Sequence, residues 1–184
     1  MGYVFEPAPR PSVAVVGRDD RFPVRRVYCV GRNYAAHVRE MGGDDRDPPF
    51  FFAKPSDAIV ESGGTVPYPP ATRDFHYETE LVVAIGRGGR DVAVDDALGH
   101  VFGYAVGNDL TRRDLQRAAK EARRPWDLSK GFDHCAVVGS IHPVADVGHV
   151  AQGYIRFTVN GVTKQDADLA EMVWSVPEIV AHLS

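Results

Sequence analysis

Apolar runs in this chain are short, and glycine or proline closes most of them. Val27-Tyr28-Cys29-Val30 runs into Gly31, Phe50-Phe51-Phe52-Ala53-Lys54 into Pro55, and Leu81-Val82-Val83-Ala84-Ile85 into Gly86. With 18 glycines and 13 prolines spread over 184 residues, the chain is cut into short strands and many turns rather than long helices. The strongest turn signal is Asn160-Gly161, set between the strand run Tyr154–Val159 and its return Val162–Gln165. Ser12–Val16 and Val24–Val30 flank Gly17-Arg18-Asp19-Asp20 and predict a second hairpin. Further strands are expected at Phe50–Lys54, Ala58–Val60, Leu81–Ile85, Phe102–Gly107 and Phe132–Val138.

Helical signals are few. Asn33 is a good N-cap, Ala35 and Ala36 favour helix and Gly42 stops it, so a short helix is expected over Tyr34–Met41. A proline-bounded polar loop, 43–49, follows it. Val94–Val101 has an acidic first turn, Leu110–Arg123 reads as a helix ended by Pro125, and 168–173 and 177–183 read as helical turns. The sum is a β-rich α+β domain, not a doubly wound sheet.

Composition narrows the function classes. Hydrophobic residues at 44% and charged residues at 25% are ordinary for a globular protein of one domain. A net charge of -4 gives no reason to expect nucleic acid or an anionic membrane as partner. No apolar run approaches the roughly 20 residues of a membrane span, and 1–11 carries no signal-peptide pattern. Two cysteines, Cys29 and Cys135, fit a reducing cytoplasm.

The chemistry concentrates just ahead of the expected strand Leu81–Ile85. Glu78 and Glu80 are two apart, which in a strand puts both carboxylates on one face, about 7 Å apart along the chain. They read either as two solvated glutamates or as ligands of a hard divalent cation, which takes oxygen. Asp109 follows a strand and either supplies a third carboxylate or caps a helix starting near Leu110. His37 and Glu40 are three apart on the predicted helix, the spacing of a general base and its orienting carboxylate, or of a surface pair. Lys130 lies among aromatics in Trp126-Asp127-Leu128-Ser129-Lys130-Gly131-Phe132 and could meet an oxyanion. Arg113 and Gln116 share a helix face and could clamp a carboxylate. The neighbours His134 and Cys135 point oppositely on a strand and form no nucleophilic pair.

Taken together, several blocks resemble the fumarylacetoacetate hydrolase family. They are Cys29–His37, His76–Leu81, Gly103–Gln116, Pro125–Asp133 and Val159–Met172, in the family's order and covering nearly all of the chain from about residue 25. The resemblance implies an N-terminal strand segment at 1–24 and a catalytic domain over 25–184, with a mixed β-sandwich roll. Family members continue beyond the region of Leu183-Ser184 into a Gly-Asp and then a Thr-Gly-Thr-Pro segment, so the roll is expected to be truncated at its C-terminus. It also implies a homodimer and a Mg2+ or Mn2+ ion held by Glu78, Glu80 and Asp109. His37 with Glu40 would activate water, Lys130 would stabilise the oxyanion or enolate, and Arg113 with Gln116 would contact the substrate. The implied reaction is hydrolysis of a carbon–carbon bond in a 2,4-dioxo acid. Tyr3–Pro7, Pro48–Phe52, Val66–Thr72 and Trp174–Ile179 most resemble the branch of the family that acts on fumarylpyruvate, which implies cleavage to fumarate and pyruvate. Acylpyruvate hydrolysis or oxaloacetate decarboxylation on the same site, and an inactive member that only binds metal or a dicarboxylate, stay open.

Overall fold

A computed structural model describes residues 2–34 and 47–184. Strands β1 (Ser12–Ala14) and β2 (Arg21–Pro23) form an antiparallel hairpin. The expected return strand, Val24–Val30, is therefore displaced. The turn after Val15 sets Arg21 opposite Ala14 and Pro23 opposite Ser12, which uses up β1 before Val24 is reached. The following apolar run becomes β3 (Val27–Gly31), which pairs antiparallel with β4 (Phe50–Lys54). Gly31 sits opposite Phe50, and a Cβ there would lie 2.1 Å from the ring.

The chain continues through β5 (Ile59–Glu61), β6 (Phe75–His76), β7 (Thr79–Ile85), β8 (Val101–Asp109) and β9 (Thr111–Arg112). Helices α1 (Arg113–Glu121) and α2 (Asp127–Lys130) follow, then β10 (Ala136–Val138), β11 (His142–Pro143) and the short helix α3 (Val144–Val147). The last elements are β12 (Tyr154–Val159), β13 (Val162–Asp168) and α4 (Val176–Leu183). This is the strand-rich α+β architecture expected.

Several bounds move for local reasons. Thr111 and Arg112 pair with β6, so the helix expected from Leu110 starts at Arg113. A turn closed by Cys135 N–H on Phe132 O confines the strand expected from Phe132 to Ala136–Val138. The turn at 94–100 is a 3-10 helix, as is Leu169–Glu171, where Asp168 caps the Ala170 N–H. Residues 35–46 lie outside the described residues, and with them the predicted helix 34–41 except Tyr34, which bridges to Met172, and the part of the predicted loop 43–49 that precedes residue 47.

The largest sheet is built on β8. β7 runs antiparallel along one edge, β10 and β11 along the other, and β5 lies parallel beyond β10. Ala84, Ala105 and Val138 of this sheet form a core with Val13 and Ile141, so the β1–β2 hairpin is packed onto the sheet through Val13. Close packing fixes one position on β8 as glycine: a Cβ at Gly103 would meet the His142 carbonyl at 2.4 Å. A second cluster is made of Ala58, Leu110, Phe132 and Cys135, with Phe75 and Tyr77 packed on it. Among the described residues no helix is long and apolar enough to cross a membrane.

Candidate metal centre

Antiparallel pairing of β7 with β8 brings the start of one strand to the end of the other. Thr79 pairs with Asn108 and Glu80 with Gly107. Glu78, one residue ahead of β7, is tied in by two bonds: its N–H donates to Asn108 Oδ1 at 2.9 Å, and its carbonyl accepts from Asp109 N–H at 2.7 Å. Glu78, Glu80 and Asp109 thus share one end of this ladder. Asp109 is the last residue of β8 and is 8% exposed. It caps no helix, since α1 begins at Arg113 with Arg112 at its N-cap.

Three cations meet two of these carboxylates. Lys130, the last residue of α2, is 2% exposed, and its ammonium donates to Glu78 Oε2 at 2.6 Å and Asp109 Oδ2 at 2.8 Å. Arg113, the first residue of α1, holds Glu78 Oε1 and also donates to Gln116 Oε1 at 2.5 Å. Lys54, the last residue of β4, donates to the carbonyls of Lys130 at 2.7 Å and Leu110 at 3.1 Å. Its ammonium is 2.7 Å from Asp109 Oδ1 but out of line for a hydrogen bond, so that contact is purely electrostatic. Burial alone would raise the Glu78 carboxyl, but Lys130 and Arg113 outweigh it and hold the group below the usual carboxylate range.

Glu80 differs. Among the described residues its side chain makes no hydrogen bond or ion pair. Burial first, then the charges of Glu78 and Asp109, push its carboxyl up to about 8. A partly buried carboxylate beside two others, opposed by the charge of Lys130 but paired with no cation among the described residues, marks a place short of positive charge. A hard divalent ion is what this donor set suits. The fit is one of donor chemistry: among the described residues no three His, Cys, Asp or Glu side chains converge as a finished coordination shell.

Arg113 and Gln116, expected to contact the substrate, are joined to each other with Arg113 anchored on Glu78, and Lys130 links Glu78 to Asp109. His37 and Glu40 lie outside the described residues. Reading by segments missed Lys54. Its signal was a charge closing an aromatic strand immediately before Pro55, but its partners at 109, 110 and 130 are far along the chain. Cys135 has no exposure, and burial raises its thiol, as it raises that of Cys29 to about 12. Neither is a ready nucleophile.

A strand-rich fold with buried carboxylates and cations at one end of a ladder describes an acid-rich site suited to anionic oxygen chemistry. Residues 26–184 match the family of the fumarylacetoacetate (FAA) hydrolase C-terminal domain, and the chain belongs to that family. It is similar to a solved structure of fumarylpyruvate hydrolase from Pseudomonas aeruginosa in complex with Mn2+ and pyruvate. The identity is 50%, the TM-score 0.94, and the match covers 100% of this chain and 81% of that one. A fumarylpyruvate hydrolase from Ralstonia sp is 47% identical over 135 residues, 73% of this chain and 70% of the relative. A mitochondrial oxaloacetate tautomerase from Arabidopsis thaliana is 36% identical over 159 residues, covering 86% of this chain and 71% of the relative.

Proposed function

We propose that the chain is a metal-dependent hydrolase that cleaves fumarylpyruvate to fumarate and pyruvate. The observation that carries this is the trio Glu78, Glu80 and Asp109 at one end of the β7–β8 ladder, with Glu80 paired to no cation among the described residues. The named activity of relatives at 47% and 50% identity supports the choice of substrate. Glu78, Glu80 and Asp109 would hold Mg2+ or Mn2+. When bound, the ion supplies Lewis acidity toward the oxygens of a 2-oxo acid.

The chain's own residues then divide the work. Arg113, steadied by Gln116, offers its remaining donors to the substrate carboxylate. His37, oriented by Glu40, takes a proton from the attacking water, and the hydroxide forms a bond to the C4 carbonyl carbon. The C3–C4 bond breaks, its electron pair passing to the pyruvate enolate, and the fumaryl fragment leaves as the acid. The enolate carbon finally takes up a proton to give pyruvate. Lys130, buried and already against two carboxylates, keeps its ammonium beside the oxygen that gains charge. His37 must start neutral, so activity falls at acid pH. The working protein on this reading is a homodimer of the cytoplasm.

The test is pyruvate release from fumarylpyruvate, followed by coupling to lactate dehydrogenase. Turnover is expected with Mn2+ or Mg2+ and is lost in chelator. Consumption of oxaloacetate with no pyruvate from fumarylpyruvate would overturn the substrate. That outcome would favour the oxaloacetate reading, which the similarity to a tautomerase of that substrate keeps in play.

A further inference from the structure

A cavity of about 370 Å³ opens beside β4, between that strand and the turn 124–127. Nothing in the mechanism above occupies it except one wall, which is Lys130. Phe50 and Phe52 are two apart on β4 and share a face. The Trp126 ring stands edge-on to Phe50 at 5.2 Å and tilted to Phe52 at 5.7 Å, so the three make one aromatic surface. The Lys130 ammonium lies 5.0 Å from the Phe52 ring centre, which joins this surface to the carboxylate cluster. Arg124 lines the rim, is exposed, and among the described residues pairs with no acid. Asp127 is the acid among the residues that line the cavity, and it is outnumbered by Arg124 and Lys130.

We propose that this cavity receives the acyl arm of the substrate, and that Arg124 binds a carboxylate at the far end of that arm. The inference rests on the hydrolase reading and deepens it. Aromatic walls suit a flat, conjugated carbon chain, and a cation at the outer end suits a terminal anion. Lys130 at the inner end is where the reacting carbonyl belongs. The preferred class is thus a 2,4-dioxo acid with an unsaturated arm ending in carboxylate, not one ending in methyl. Arg124 acts on specificity and touches no bond that is made or broken.

The experiment compares fumarylpyruvate with acetylpyruvate, whose arm ends in methyl, in wild type, Arg124→Met and Arg124→Lys. Arg124→Met is expected to lose about tenfold or more in kcat/KM for fumarylpyruvate, mainly through KM. Acetylpyruvate turnover stays within about twofold, and Arg124→Lys recovers part of the loss. Equal losses on both substrates, or none on either, would overturn the proposal. A second readout is independent of turnover: quenching of Trp126 fluorescence by fumarate in a Trp174→Phe background. Fumarate should quench, and Arg124→Met should weaken the quenching about tenfold. If wild type hydrolyses neither substrate, the reaction assignment fails while this titration still decides the cavity. Equal fumarate binding with and without Arg124 counts against it.

Discussion

The β12–β13 hairpin and the meeting of β7 with β8 are both antiparallel ladders, yet different forces hold them. The hairpin is specified locally. Asn160 and Gly161 both adopt positive φ, 50° and 79°, as its two-residue turn demands. Its outer face is wet, with Tyr154 at 84% exposure, while Ile155 is buried and Phe157 packs on Tyr77 at 4.7 Å. The β7–β8 end is assembled from afar: Lys54 from β4, Lys130 from α2 and Arg113 from α1 converge on carboxylates of the two strands. A hairpin governed by its turn tolerates change at small, local cost. A buried cluster that depends on charge balance does not, and a divalent ion can restore what a lost cation removes.

Four substitutions test that contrast. Lys130→Met should be the most damaging, because it leaves Glu78 Oε2 and Asp109 Oδ2 without the ammonium between them. Breaking a buried pair of this kind costs about 3–5 kcal/mol, read by urea denaturation in chelator. Added Mn2+ should recover part of that stability while hydrolysis stays absent. Lys54→Met comes next at about 3 kcal/mol, since Asp109 keeps Lys130. It should also weaken Mn2+ binding, because Asp109 Oδ1 and the Lys130 carbonyl lose their common anchor. Gly103→Ala should cost about 1–3 kcal/mol by overpacking against the His142 carbonyl, with metal affinity unchanged. Gly161→Ala should cost about 1 kcal/mol for its positive φ and leave both hydrolysis and metal binding intact. A loss of metal binding from Gly161→Ala would erase the contrast.

The same contrast explains what could be read in the sequence. The turn at Asn160-Gly161 carries its own conformational requirement, so β12 was found at its observed bounds. β4 was also legible, because Pro55 closes an aromatic run. The partner of β1 was not, since two apolar runs compete for it and turn length decides. The start of α1 was not, because Thr111 and Arg112 are claimed by β6, some 35 residues earlier in the chain. Glu78, Glu80 and Asp109 were singled out from residue type and spacing, but their unequal states were hidden. Which carboxylate has a cation depends on Lys54, Lys130 and Arg113, and no local pattern records that.

Glu80 is thus the partly buried carboxylate that we assign to a divalent ion. The most direct test is calorimetric titration of Mn2+ into chelator-treated wild type and Glu80→Gln. Wild type is expected to bind one ion per chain, and Glu80→Gln to bind at least about tenfold more weakly. Equal affinity and stoichiometry in the two proteins would contradict it.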